Sequence, residues 1–311
     1  MSLSRRALLC ASVLVVLPTP LLAQEKLAVV ASFSILGDFV REVGGERVSL
    51  TTLVGPDGDA HVYSPTPADA KAMAAARLVI TNGLKFEGWM DRLVKSSASK
   101  APVAEATKGV AILKVEGGHD HGKTDKHGHN HGGQADPHAW QSVRNAKLYV
   151  TNIRDALIAA DAAGKASYEA NATAYLAKLD ALDGEVKAAV ARIPAASRKL
   201  ITSHDAFGHF ARDYGIAFLA PRGISTESEA SAKDVARLIK QAREQKVGAV
   251  FLENITNPRL IEQIAKESGA RVGGRLYSDA LSGPSGPAGT YIQMIQHNIR
   301  AIEKALVPGP A

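Results

Sequence analysis

Short apolar runs alternate along this chain with longer amphipathic ones. "KLAVVASF" reads as a strand, and "SILGDFVREVGG" as a helix ended by Gly44 and Gly45. "RVSLTTLV" is the next strand, followed by the loop "GPDGDAHVYSP". In "TPADAKAMAAA" Thr66 caps a helix, Pro67 takes its first position and Asp69 supplies the acidic third. "RLVITNG" and "APVAEAT" read as strands around the helical "FEGWMDRLVKSS". A further helix runs through "NAKLYVTNIRDALIAAD", and from Lys165 to Ile193 the pattern is one long helix stopped by Pro194. That helix is longer than a usual crossover and reads as a strut between two lobes.

Beyond it the alternation restarts. "RKLITS", "IAFLAP", "VGAVFLE" and "RVGGRLYS" are strands, and "HDAFGHFARDYG", "SAKDVARLIKQAREQ", "PRLIEQIAKESG" and "GTYIQMIQHNIRAIEKAL" are helices. The predicted fold is therefore α/β, with two lobes, each a mostly parallel sheet flanked by helices. The expected divisions are an N-terminal lobe over 24–163, the linking helix over 164–194 and a C-terminal lobe over 195–311.

The N-terminus changes the picture of where the chain works. Arg5 and Arg6 precede an apolar run that is too short and too broken by Pro18 and Pro20 to span a bilayer. Residues 1–23 read as a secretory signal cleaved after Ala23, with the twin-arginine route also open, so the expected location is the periplasm. Cleavage removes two arginines, taking the formal charge from +6 to +4, and removes Cys10, the only cysteine. A metal site in the remainder must therefore use nitrogen and oxygen donors. The positive charge forms no basic stripe, which argues against nucleic acid as a partner.

Histidine supplies the candidate chemistry. Five of the ten histidines, His119, His121, His127, His129 and His131, crowd into "GHDHGKTDKHGHNHGG" (residues 118–133). Glycine and charge fill the gaps there, so the tract reads as an accessory segment that binds further ions weakly. Among the others, His61 follows a strand, His138 sits in "ADPHAW" before a helix, and His204 follows "RKLITS" directly. Asp279 follows "RVGGRLYS" in the same way. Ligands of open α/β sheets bind beyond the carboxyl ends of strands, and two of these residues fall in each half. Three imidazoles and a carboxylate suit zinc and leave no open position for a catalytic water. Asp57 and Asp59 are candidate supporting carboxylates around His61. His209 and His297 read as structural. The chain has no H-E-x-x-H, and a hydrolase is not expected. Ordinary imidazoles predict that metal binding weakens as pH falls toward about 6.

Several motifs then fall in a familiar order. "HVYSPTPAD", "ADPHAW", "ITSHDAFGHF", "GISTESEAS" and "SDALSGPSGPAGTYIQMIQHN" resemble the segments of periplasmic zinc/manganese-binding proteins of ABC importers (cluster A-I), most of all the AztC-type zinc branch. The resemblance covers nearly the whole mature chain, and departs from it where the family often has glutamate and this chain has Ser64. It implies two α/β lobes on a rigid helix, and one high-affinity metal held by His61, His138, His204 and Asp279. It also implies an inner-membrane permease with a cytoplasmic ATPase as partner, a metal-donating periplasmic chaperone as a further one, and a monomeric, non-enzymatic protein. Histidine at position 204, where manganese-type members tend to carry a carboxylate, points to zinc; manganese or iron delivery is the alternative.

Overall fold

β1 (Leu27–Phe33) is the centre of the first sheet and is buried along almost its whole length. The computed structural model describes residues 25–115 and 133–307. The expected signal and the five histidines of the 118–133 tract lie outside them. Helix α1 (Ser34–Gly44) follows β1 without a break and returns the chain to β2 (Val48–Val54), which pairs parallel to β1 with Val29 opposite Leu50. α2 (Pro67–Ala75) begins as its sequence dictates. Thr66 Oγ1 accepts from the Asp69 N–H at 3.3 Å, and Asp69 Oδ2 accepts from the Thr66 N–H at 2.6 Å. β3 (Leu78–Thr81), α3 (Met90–Ser97) and β4 (Val103–Glu105) complete a parallel sheet of order β2-β1-β3-β4. All four residues of β3 are buried, as a central strand covered on both faces requires.

α3 is shorter than "FEGWMDRLVKSS" predicts. Glu87 turns inward, where its Oε1 accepts from the Asn82 N–H at 2.6 Å and the Ser32 hydroxyl at 2.5 Å. Those bonds hold Glu87 inward with Phe86 and Trp89 buried beside it, and the helix starts only at Met90. The sequence reading also has no counterpart for the short antiparallel pair β5 (Lys114–Val115) and β6 (Gln134–Ala135), which sits at the two ends of the histidine-rich segment.

α4 (Val143–Ala160) leads to α5 (Lys165–Arg192), 28 residues and so about 42 Å long at 1.5 Å per residue. Its buried side chains recur at Tyr168, Ala172, Tyr175, Leu179, Leu182, Val186 and Ala189, alternating steps of four and three. That stripe packs on α1, α4 and the last helix.

The second half repeats the plan with β7 (Lys199–Ile201), α6 (Gly208–Tyr214), β8 (Ala217–Leu219), α7 (Ala232–Glu244), β9 (Ala249–Glu253), α8 (Arg259–Ser268), β10 (Arg271–Leu276) and α9 (Tyr291–Leu306). Its four strands are parallel in the order β10-β9-β7-β8. The predicted helix over 204–215 is only 208–214, because 204–207 is used as a loop beyond β7. One apolar core runs from β1 and α1 through α4 and α5 into α9, and a smaller one lies beneath α7 and α8. The halves are also bonded directly. The Tyr291 N–H donates to Asp38 Oδ2 at 2.8 Å, and the Tyr291 hydroxyl donates to the Trp140 carbonyl at 2.7 Å.

Candidate metal centre

The carboxyl ends of the two sheets face each other, and four side chains converge between them. His61 stands in the loop after β2, its own N–H donating to Asp59 Oδ1 at 2.9 Å. His138 lies just after β6, on a segment held by Asn82, whose Nδ2 donates to the Pro137 carbonyl at 2.9 Å. His204 stands beyond β7. Asp279 stands beyond β10, on a loop gripped by the other half. The Trp140 Nε1–H and the Gln141 amide both donate to the Ser278 carbonyl, at 2.9 and 2.6 Å, and the Leu281 N–H donates to Ser34 Oγ at 2.9 Å. All four side chains are buried, His61 at 5 % exposure and the other three at 0 %.

One donor atom from each of the four lies within 4.8 Å of the others. His61 Nε2 is 3.3 Å from His138 Nε2 and 3.1 Å from Asp279 Oδ2, and His204 Nε2 is 3.0 Å from Asp279 Oδ2. The edge of a tetrahedron of donors at zinc distances is about 3.3–3.4 Å, from bond lengths of about 2.0–2.1 Å. These three edges already have nearly that length, and every donor lies within 4.8 Å of the others. Asp279 Oδ1 is buried, has no hydrogen-bond donor, and sits 3.7 Å from His138 Nε2. A buried carboxylate oxygen left bare is costly unless a cation completes it. The donors thus fit a divalent ion.

Two further carboxylates aim the rings. Asp136 Oδ1 lies 2.8 Å from His138 Nδ1 and accepts from the His138 N–H at 3.0 Å. Glu253 Oε2 lies 2.6 Å from His204 Nδ1, while its Oε1 accepts from the N–H groups of Ser203 and His204 at 2.6 and 3.1 Å. Asp136 bonds the His138 Nδ1 and Glu253 forms an ion-pair contact at the His204 Nδ1, so both rings turn Nε2 to the centre, as a metal needs. Sequence reasoning missed both. Asp136 was in view two residues before His138, and Glu253 ends β9 in "VFLEN", a strand-end position like those of the residues it serves. The carboxylates named in advance act differently. Asp59 holds the His61 backbone and accepts from the Thr226 hydroxyl at 2.7 Å. Asp57 ties down the Asp279 loop, its N–H donating to the Leu281 carbonyl at 2.8 Å. Neither makes a bond to an imidazole nitrogen among the described contacts.

The electrostatics follow from this packing. Burial alone would lower the His138 imidazole, but Asp279 and Asp136 outweigh it and push it up to about 9. Burial likewise opposes the charge on His204, yet Glu253 and Asp279 hold it well above its ordinary value. Burial would raise Asp279, and the His204 and His138 imidazoles instead keep it well below the carboxylate range. His209 is structural: it is buried, lies 3.1 Å from Asn145 Nδ2 and 3.2 Å from the Asp136 carbonyl, and burial lowers its imidazole. His297 is not among the converging donors; its Nε2 donates to the Arg275 carbonyl at 3.0 Å.

The family model described as zinc-uptake complex component A, periplasmic, matches residues 29–305. The iron-binding protein YfeA of Yersinia pestis is 35% identical over 280 residues, covering 90% of this chain and 86% of that one. The manganese ABC transporter substrate-binding lipoprotein PsaA of Streptococcus pneumoniae is 30% identical over 290 residues, 91% of this chain and 90% of that one. Among solved structures, the periplasmic zinc binding protein TroA from Treponema pallidum superposes with a TM-score of 0.83 at 29% identity, over 91% of this chain and all of that one.

Proposed function

This chain belongs to the family of periplasmic metal-binding components of ABC importers, and from that premise we propose that its cargo is zinc, bound by His61, His138, His204 and Asp279 and passed to an inner-membrane permease. The family consists of substrate-binding proteins rather than enzymes. The observation that supports the zinc reading is the donor set: three buried imidazoles and one carboxylate, all within 4.8 Å of one another. Imidazole-rich sites suit zinc, whereas manganese takes to carboxylate, carbonyl and water.

Manganese or iron delivery is the second reading, favoured by the names of YfeA and PsaA. Competition titration of the purified mature chain separates the two. Because the general affinity order already places zinc above manganese and iron, a preference for either at equal free metal overturns the zinc reading. So does rescue of a metal-starved deletion strain by manganese but not zinc.

Three parts of the reading concern the chain's surroundings. Residues 1–23 serve as the export signal, the histidine-rich tract (118–133) gathers or receives zinc close in sequence to His138, and the working form is a monomer. The lobes divide at the long helix (164–194).

A further inference from the structure

A second cavity, of about 500 Å³, opens between the edge strand β10 and α9, along the helix from Gln293 to Lys304. Arg275 enters it from the strand, and Arg300 and Lys304 from successive turns of the helix. No carboxylate lines it, and among the described residues none of these three cations has an ion-pair partner. Of the acids nearby, Glu303 pairs with Arg192, while Glu185 stands behind the lining residue Gln296, whose amide donates to it at 2.8 Å. All three cations are exposed to solvent, so their mutual repulsion is weak, and an anion between them would gain an attraction from each.

The backbone is shaped to admit one. The β10–β9 register shifts between Val272 and Arg275, so Gly273 and Gly274 have no partner residues on β9. At Gly274 φ is +125°, a conformation other residues avoid, and a Cβ there would meet nothing within 4 Å. Gly273 is glycine because a Cβ there would strike the Phe251 ring at 2.5 Å, whereas Gly274 leaves the backbone open to close approach from outside. His297 steadies this edge, bonding the Arg275 carbonyl and packing edge-on against Tyr277 with ring centroids 5.3 Å apart.

We infer that this cavity binds a small oxyanion carrying two or more negative charges, held by Arg275, Arg300 and Lys304 over the Gly273–Gly274 edge. Guanidinium groups pair with phosphate and carboxylate oxygens through parallel N–H donors, and an ammonium adds a mobile third contact. The inference stands apart from the metal reading, since no residue of the metal centre lines this cavity.

The test is isothermal titration of the metal-free full chain with inorganic phosphate, tricarballylate and acetate, each at matched ionic strength in chloride. Saturable one-to-one binding of phosphate, of tricarballylate, or of both is expected, with acetate at least about tenfold weaker, as loss of a charge-assisted contact implies. Phosphate alone assigns a phosphoryl ligand, and tricarballylate alone a polycarboxylate. The paired substitution Arg300→Gln and Lys304→Gln should weaken binding at least about tenfold while zinc binding and circular dichroism stay unchanged; Arg300→Lys with Lys304→Arg should retain most of it. An edge merely kept soluble by its cations would show no saturable binding beyond chloride, and that result, or equal binding by the Gln pair, overturns the inference.

Discussion

Loading the metal centre should release protons at neutral pH. His138 is held up at about 9 by Asp279 and Asp136 against the effect of burial, and His204 is held well above its ordinary value by Glu253 and Asp279. An ion can take Nε2 only from a neutral ring, so each charged imidazole must lose its proton first. For His138 the distance from pH 7 to about 9 is about two units, worth about 3 kcal/mol, or about a hundredfold in apparent affinity, at 1.36 kcal/mol per unit. With His204 also charged, apparent affinity should rise by up to about a hundredfold per pH unit near neutrality, since each displaced proton contributes a factor of about ten per unit. Asp279 lies well below the carboxylate range and contributes no proton at these pH values. The metal-free protein should move the other way. A raised imidazole contributes stability that is full below about 6.5 and is lost as pH climbs through about 9. Calorimetry at pH 7 in buffers of different ionisation enthalpy counts the protons directly. Nearly two per zinc are expected, with the His138 share falling away as pH passes about 9. Less than half a proton at pH 7, with affinity flat from 7 to 8.5, would refute the electrostatic account. Ordinary imidazoles alone place the sensitive window near pH 6; the buried carboxylates move it upward.

Glu253→Gln and Asp136→Asn should each weaken zinc binding by about 10–100-fold, the usual cost of losing a carboxylate behind a ligating imidazole, with thermal unfolding little changed; full affinity in both would remove their aiming role. Leu182→Ala empties a fully buried position on α5 and should cost about 3 kcal/mol, read as a lower midpoint in urea. Asp38 is pushed up to about 6, chiefly by burial, so the protein should be more stable below pH 4 to 6 than above as far as this group is concerned; Asp38→Asn should flatten that slope, and an unchanged pH–stability curve would contradict it. Deleting 118–133 should leave the high-affinity site intact, because none of its four proposed ligands lies there; loss of that site would reverse the ranking of the two.

Much of this was legible in sequence, for identifiable reasons. Strand and helix order follows from periodicity because a parallel sheet covered on both faces demands continuous apolar runs, as in "LVIT", and α5 demands a three-and-four stripe. Thr66, Pro67 and Asp69 announce α2 because capping is local chemistry. His61, His204 and Asp279 stand out by following strands and His138 by its place before a helix, and the family resemblance joins the four into one ligand set. What escaped depends on partners distant in sequence. Glu87 breaks a helical pattern because Ser32, 55 residues away, bonds it, and Glu253 reaches His204 across 49 residues. No local pattern encodes those bonds.

The same distant bonds bear on how selectivity arises. The Asp279 loop is gripped by Trp140, Gln141 and Ser34, and the His138 segment by Asn82, whose Oδ1 accepts from the Tyr149 hydroxyl. Donors held this way resist displacement, which favours an ion that suits their spacing. An ion content with four ligands loses little on entering. One that prefers six oxygen-rich ligands must bring water into a space walled by Phe86, Trp140 and three imidazoles, with ring centroids of Phe86 and His61 only 4.7 Å apart. The discrimination proposed here therefore rests as much on the aromatic wall and the second-rank carboxylates as on the identity of residue 204.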